Sequence, residues 1–377
     1  MKIGIDAKWY FTGPPSTQRL LQNLLPRIFK IYPQYEWIIF LDKQDKACDF
    51  PFKQPNIKIK YVWANNNLLS NLFILPCYLR KEKVDVMVFQ TFPAKMKKTR
   101  SVAFIHDVLF RDFPQFFTWK EKLYFFPLSW LAPKADRLMV TTEFVANDVI
   151  KFNYAKTKTR IDILPLGVDT EFSPIENQSS ESLRSIKEKF NLPDPFILFA
   201  GRLNKRKNIE SLLKAMSLIR DKNIKLVIVG KEDGKKPVID KTISDLGLKE
   251  RIVRTGYVTN QELSAIYGLA KVFCFPSFAE GFGLPPLEAM AAGVPVIVSN
   301  TTALPETCGN AAVYIDPADP ESIVIALNDL LSNEDKWMEK RKAGLEQAAK
   351  YNWEVTAELF MLSIINAGKI NLHESHF

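Results

Sequence analysis

The sequence predicts an α/β protein made of two doubly wound parallel-sheet domains in tandem. Three observations carry this. The chain has 377 residues, more than one hydrophobic core normally organises, so two domains are the default. Short apolar runs alternate with helical or irregular stretches, as in a parallel sheet covered on both faces. The series breaks at a polar, Ser-rich stretch, ENQSSESLRS, and then starts again.

Met1 to Asp6 reads as the first strand. The loop WYFTGPPSTQ follows, and Arg19 to Phe29 has helical spacing, with Pro26 predicting a kink or an early stop. EWIIFL (36–41), VDVMVFQ (84–90), SVAFIHD (101–107) and ADRLMVTT (135–142) continue the strand series, and RIDILPLGVDTEFSP (160–174) closes the first half. The link lies near 170–195. PFILFAG (195–201) restarts the pattern. KLVIVG (225–230), RIVRTGYV (251–258), VFCFPS (272–277), VPVIVS (294–299) and AAVYID (311–316) follow. Amphipathic helices are expected over 321–331 and 333–348, and a last helix over 353–367. The expected domains are 1–175 and 176–352, with 353–377 holding a helix that returns to the first domain and a tail. Ligands of such sheets bind beyond the carboxyl ends of the strands, and the cleft between two such domains is the natural site.

Composition is that of a soluble globular protein, 47% hydrophobic and 25% charged. The formal net charge of +9 favours anionic partners without naming one. The basic residues are dispersed rather than gathered in a stripe, which argues against a nucleic-acid-binding module. Cys48, Cys77, Cys274 and Cys308 show no metal-ligand or redox spacing, and a reducing cytoplasm is expected. The start MKIGIDAK turns polar too early for a signal peptide. No apolar run approaches the roughly 20 residues that span a bilayer, so any membrane contact is expected to be peripheral.

The chemistry concentrates in the second half. EGFGLPPLEAMAAGVPVIVSN (280–300) places a Gly/Pro-rich turn and a small-residue helix between two apolar runs. Backbone N–H groups at such a helix start suit a diphosphate. Glu280 precedes Gly281, Phe282, Gly283 and Leu284, where backbone can approach a ligand closely, and a carboxylate there suits sugar hydroxyls. Glu288, among apolar and small residues, needs a polar partner. The hydroxyls of a ribose would serve, and an ordinary helix-surface Glu is the alternative. GRLNKRKNIESLL (201–213) follows another strand. Arg202 and Lys207 flank the turn before a helix beginning near Asn208 and can hold both phosphates of a nucleotide diphosphate. A solvated basic loop is the plainer reading, and Lys205 and Arg206 are expected to be solvent charges.

In the first half, His106 closes SVAFIHD, and the other two histidines lie in the tail NLHESHF. At a strand's carboxyl end His106 can donate a hydrogen bond to a sugar; a structural histidine is the alternative. Asp107 is expected to orient the following loop. Gly13 sits in the first strand–helix turn, a position that can lie over a phosphate, although Pro14 and Pro15 remove donors there. DFPQFFTWKEKLYFFPLSW (112–130) interleaves aromatics with Lys120 and Lys122, and NLFILPCYLRKEK (71–83) is apolar and then basic. These segments fit either core packing or an anionic membrane interface.

Taken together, GRLNKRKN, the Glu280/Glu288 spacing in EGFGLPPLEAMAAGVPVIVSN, and LPETCGNAAVYIDPADPESI resemble glycosyltransferase family 4, the retaining enzymes of the GT-B fold. The likeness runs from the first strand to the C-terminal helix. It implies two Rossmann-like domains facing each other across a cleft, with Arg202 and Lys207 on the diphosphate and Glu280 on the donor sugar. It also implies Glu288 on the ribose, His106 on the sugar from the other domain, and Gly256, Tyr257 and Val258 beside the base. The loop containing Gly13 is richer in glycine in relatives. The PETCG…DPADPE block looks most like mannosyltransferases of bacterial surface-polysaccharide assembly. That implies GDP-mannose as donor, with UDP-sugars as competitors, and a lipid-linked glycan acceptor at the inner membrane face. No DxD-like motif stands in a suitable loop, so neither a metal nor another cofactor is expected. A nucleotide-sugar epimerase and a phosphorylase remain alternatives, although no lysine context for pyridoxal phosphate is visible.

Overall fold

The computed structural model describes residues 1–63, 66–157, 159–231 and 238–369. The tail with the two remaining histidines lies outside the described residues. The chain divides into two units. The first comprises residues 1–167 and the helix from Trp353, and the second comprises Val168–Asn352.

Unit 1 holds strands β1 (Lys2–Asp6), β2 (Glu36–Asp42), β3 (Ile57–Val62), β4 (Val86–Gln90), β5 (Arg100–Ile105), β6 (Arg137–Val140) and β7 (Arg160–Ile163). They form one seven-stranded sheet in the order β3-β2-β1-β4-β5-β6-β7, and every pair is parallel. The central strands are mostly apolar and buried because helices cover both faces. β3, IKIKYV, escaped the sequence reading: it is an edge strand carrying two lysines, and a charged edge resists unwanted pairing.

The first helix spans Pro15–Ile31 and runs on past Pro26, so the expected early stop does not occur. Its buried residues Leu20, Leu21, Leu24, Leu25, Ile28 and Phe29 hold it against the core on both sides of the proline. Arg27 Nη1 also donates to the Asn23 carbonyl, 2.9 Å away. The C-terminal helix Trp353–Lys369 packs within this unit. Thr356 Oγ1 donates to the Pro165 carbonyl at 2.6 Å, and Arg27 pairs with Glu354 at 2.9 Å.

In unit 2, β8 (Phe196–Ala200), β9 (Lys225–Val229), β10 (Ile252–Gly256), β11 (Val272–Phe275), β12 (Val296–Ser299) and β13 (Val313–Ile315) form a six-stranded sheet. Its order is β10-β9-β8-β11-β12-β13, again all parallel. The segment after β7 belongs here. Val168 N–H donates to the Tyr351 carbonyl, Ser264 Oγ donates to the Glu171 carbonyl, and the Phe172 ring meets Tyr267 edge-on. Cys274 and Cys308 are free and buried, as small core residues.

The strand orders determine where chemistry is placed. In each sheet the order reverses once, between β1 and β4 in unit 1 and between β8 and β11 in unit 2. Loops leaving the carboxyl ends of such a pair diverge and open a crevice. At the unit 1 reversal the chain buries an ion pair, with Lys8 Nζ 2.6 Å from both Asp6 Oδ1 and Asn71 Oδ1. Burial pushes the Lys8 ammonium below its ordinary range, against the pull of Asp6.

Candidate functional site

The loop after β8 and the loop after β11 meet at the unit 2 reversal. Gly201 leaves β8 with φ +151°, and a Cβ on Gly230, at the end of β9, would lie 1.9 Å from the Gly201 carbonyl oxygen. Only glycine fits at 230. A short turn, Lys205–Lys207, follows, with the Asn204 side chain accepting from the Lys207 N–H. Asn208 is left-handed, φ 55°, and the helix Ile209–Leu218 begins after it. This geometry turns the Lys207 side chain inward.

Lys207 and Glu280 are 8% and 7% exposed, and Lys207 Nζ lies 2.7 Å from Glu280 Oε1. The ammonium also sits over the Phe275 ring, 4.5 Å from its centroid. Arg206 Nη1 approaches Glu280 Oε2 at 3.1 Å and donates to the Ala279 carbonyl. The Arg206 carbonyl in turn accepts the Phe278 N–H at 2.8 Å. Arg206 is therefore not the solvent charge expected from the sequence: it clamps the 277–280 loop through both side chain and backbone. Two further residues in this cluster were not anticipated. Ser277, fully buried, donates its hydroxyl to Glu280. Thr302, with φ 57°, accepts the Glu280 N–H at 3.0 Å.

Burial alone would push the Glu280 carboxyl up, but Arg206 and Lys207 outweigh it and hold it at about 2. Lys207 moves down from its ordinary value, first through burial, and the repulsion of Arg206 and Arg202 adds to this. An isolated ion pair would raise the lysine. Burial sets the direction for Lys207, and the two cations set it for Glu280. Arg202 itself is exposed at the mouth of the loop. The cluster carries excess positive charge and is suited to an anion.

Glu280 leads into Gly281, Phe282 and Gly283. Gly283 has φ +105°, and a Cβ there would strike Leu304 at 2.7 Å. Phe282 is buried edge-on against Tyr351. The helix Leu284–Ala291 follows, with prolines 285 and 286 in its first turn. These prolines have no N–H, so the donors at this helix end are narrower than the sequence reading assumed. Of the cap and first-turn positions only Gly283 and Leu284 carry an N–H. Glu288, one turn on, is 3% exposed, which rules out a helix-surface role. The Tyr267 hydroxyl donates to its Oε2 at 3.1 Å.

Gly256 ends β10 with φ +72° and helps line an open pocket of 380 Å³ with Leu203, Ile228, Gly230, Lys231 and Arg254. Tyr257 is exposed at its rim, with Lys231 Nζ 4.8 Å from its ring centroid, whereas Val258 is buried. Unit 2 thus brings Arg202, Lys207, Glu280 and the 281–284 loop together, with the 256–258 turn following the adjacent strands. His106 and Gly13 belong to unit 1. His106 follows β5, and its Nε2 is 3.0 Å from Thr17 Oγ1. Asp107 Oδ1 accepts the Leu109 N–H at 3.2 Å, holding the loop as expected. Gly13 has φ +145°, and a Cβ there would strike the Trp9 side chain at 2.7 Å, which gives this glycine a packing role.

The sequence profile of Glycosyltransferase Family 4 matches residues 43–172, and that of Glycosyl transferases group 1 matches residues 182–351. O-antigen chain mannosyltransferase B of Escherichia coli is 31% identical over 264 residues, covering 68% of this chain and 67% of that protein. This chain belongs to glycosyltransferase family 4. The serotype-specific mannosyltransferase WbdA of Escherichia coli is 35% identical over 231 residues, 60% of this chain but 28% of WbdA. This family 4 member therefore corresponds to less than a third of that relative's length. Among solved structures, sucrose-phosphate synthase from Thermosynechococcus elongatus superposes with a TM-score of 0.77 at 19% identity, covering 98% of this chain and 100% of that one. Anabaena HepE, solved with UDP and glucose, gives 0.73 at 16% identity, with coverage of 97% and 100%. At such identities the likeness is one of fold, and the fold is GT-B.

Two outcomes follow from this geometry. Arg206→Ala frees the 277–280 loop and removes one of two cations on Glu280. We expect a several-degree loss of Tm in unit 2 and about tenfold weaker nucleotide diphosphate binding, with Arg206→Lys recovering part of the binding; wild-type values for Arg206→Ala in calorimetry would contradict the clamp. Burial lowers the His106 imidazole from its ordinary 6.5 to about 4. Between those values the unfolded chain binds the proton and the native chain does not, so stability falls as pH drops through this window. Urea melts should show the acid loss reduced by roughly 2 kcal/mol in His106→Asn; parallel pH profiles for the two proteins would refute the shift.

Proposed function

We propose that this protein transfers a mannosyl residue from GDP-mannose to a hydroxyl of a lipid-linked glycan, with retention of anomeric configuration, in surface-polysaccharide synthesis. The observation that carries this reading is the Arg202–Arg206–Lys207 cluster around one buried carboxylate, Glu280, at the sheet reversal. Its excess positive charge suits a diphosphate leaving group. The mannosyltransferase names of the two relatives support the choice of sugar.

In this scheme the bond between the anomeric carbon and the leaving phosphate oxygen breaks. The acceptor oxygen bonds to that carbon on the same face, and its proton passes to the leaving phosphate. Negative charge grows on the phosphate, where Lys207, Arg202 and the N–H groups of Gly283 and Leu284 stabilise it. Glu280, held ionised by its cations, accepts hydrogen bonds from the sugar hydroxyls. Glu288 receives the ribose, with Tyr267 fixing one of its oxygens. The base lies beside the turn of Gly256, Tyr257 and Val258, in the pocket that Gly256 lines with Leu203, Gly230 and Lys231. His106, neutral near pH 7, offers a hydrogen bond to a sugar hydroxyl. The scheme requires no metal and no resident cofactor.

The acceptor and place of action form part of the same reading. A lipid-linked acceptor puts the protein on the cytoplasmic side, peripheral to the inner face of the membrane. Among the described residues no helix is long and apolar enough to cross a membrane. A second reading, a UDP-sugar donor on the same site, draws support from the UDP and glucose bound in HepE.

A panel of nucleotide sugars discriminates between the donors. We expect GDP to bind about tenfold more tightly than UDP and transfer to occur from GDP-mannose. We expect Lys207→Ala to lower turnover by about two orders of magnitude while remaining folded. Turnover of a UDP-sugar with GDP-mannose inert would favour the second reading. Epimerised nucleotide sugar formed without acceptor would overturn both.

A further inference from the structure

We propose that the outer face of residues 119–131 is a built surface for docking on an anionic lipid bilayer. The helix Trp119–Phe125 opens with a capping box between Thr118 and Glu121. The backbone stays helical at Phe126 and Pro127, and Leu128–Leu131 continues. Trp119, Leu123, Phe126 and Trp130 recur at spacings of four, three and four, so they share one face. They are 67%, 62%, 49% and 61% exposed. The Phe126 and Trp130 rings are already locked edge-on, 4.8 Å apart.

The fold does not need this face. The core contacts come from the other side of the same segment. Leu128 and Ala132 are buried in a cluster with Phe92, Val108 and Phe110, and Tyr124, Phe125 and Leu131 pack against it. Phe125 stacks on Phe110 at 5.0 Å. Exposed large apolar side chains gathered on one face mark an interaction site.

Charge selects the occupant. Lys120, Lys122 and Lys134 are exposed beside the apolar face, and Lys120 Nζ lies 5.8 Å from the centre of the Trp119 ring. The one acidic residue among them, Glu121, is engaged in the helix cap. Aromatic and leucine side chains on one side with lysines alongside form the pattern of a helix lying in the headgroup plane. Each lysine near an anionic surface adds attraction on the order of 1 kcal/mol. A second copy of the chain fits less well. Four partly exposed side chains along about 16 Å of helix offer on the order of 400 Å², well short of the roughly 800 Å² per partner of a stable interface. The use of this face, access to a lipid-borne acceptor, rests on the proposed function; its capacity to bind lipid does not.

The test is co-sedimentation of the full chain with vesicles of phosphatidylcholine alone and with vesicles containing about one third phosphatidylglycerol. GDP binding is measured on the same samples. We expect about tenfold stronger binding to the anionic vesicles. We expect that advantage to be lost in the Trp119→Ser/Leu123→Ser/Phe126→Ser/Trp130→Ser variant and weakened in Lys120→Glu/Lys122→Glu, with GDP affinity unchanged in both. The paired single variants Trp119→Ser and Trp130→Ser serve if the quadruple change disturbs folding. Wild-type vesicle binding by folded variants would overturn the proposal. So would no vesicle binding by the wild type, or a concentration-dependent dimer abolished by the same substitutions. Vesicle binding without any GDP binding would instead sink the proposed donor and leave the docking face standing.

Discussion

The buried contact between Lys207 and Glu280 is the constraint on which the second unit's chemistry depends. Removing one partner from a buried pair leaves an uncompensated charge, at a cost of roughly 3–5 kcal/mol. The two side chains come from loops that follow different strands, β8 and β11, so the pair fixes the spacing of those loops. Arg206 reinforces the same link, and its carbonyl holds the 278 backbone. Arg206 and Lys207 both meet the one buried carboxylate of Glu280. The charges that tie the two loops together are the ones proposed to meet the diphosphate.

Much of the fold was legible because parallel strands buried on both faces read as apolar runs. β1, β2, β4, β5 and β6, and all strands of the second sheet, stand where such runs stand. β3 was missed because an edge strand need not be apolar, and IKIKYV carries its lysines outward. Pro26 misled in the opposite direction. Local propensity predicted an interruption, but the helix buries leucines before the proline and Ile28 and Phe29 after it, and tertiary packing prevailed over the lost hydrogen bond.

The site was legible in part. Lys207, Glu280 and Glu288 stood out because charges within apolar, Gly-rich surroundings require a reason. Arg206 did not, since neighbouring basic residues in a loop give no sign of which one turns inward. That choice is made by the tight Lys205–Lys207 turn and the left-handed Asn208, and by the position of the 277–280 loop, all features of three-dimensional structure. Tyr267 was invisible for a similar reason: it meets Glu288 only through helix packing. The two prolines after Leu284 were in plain view, and they leave only Gly283 and Leu284 with an N–H at the start of that helix.

The account rests on the claim that the cation cluster recognises a terminal diphosphate, whatever base is attached. Calorimetry with guanosine, GMP and GDP on the wild-type chain addresses this most directly. The β-phosphate should strengthen binding by about two orders of magnitude over GMP, and that gain should shrink as salt is raised. Equal affinity for GMP and GDP, with no dependence on salt, would contradict it.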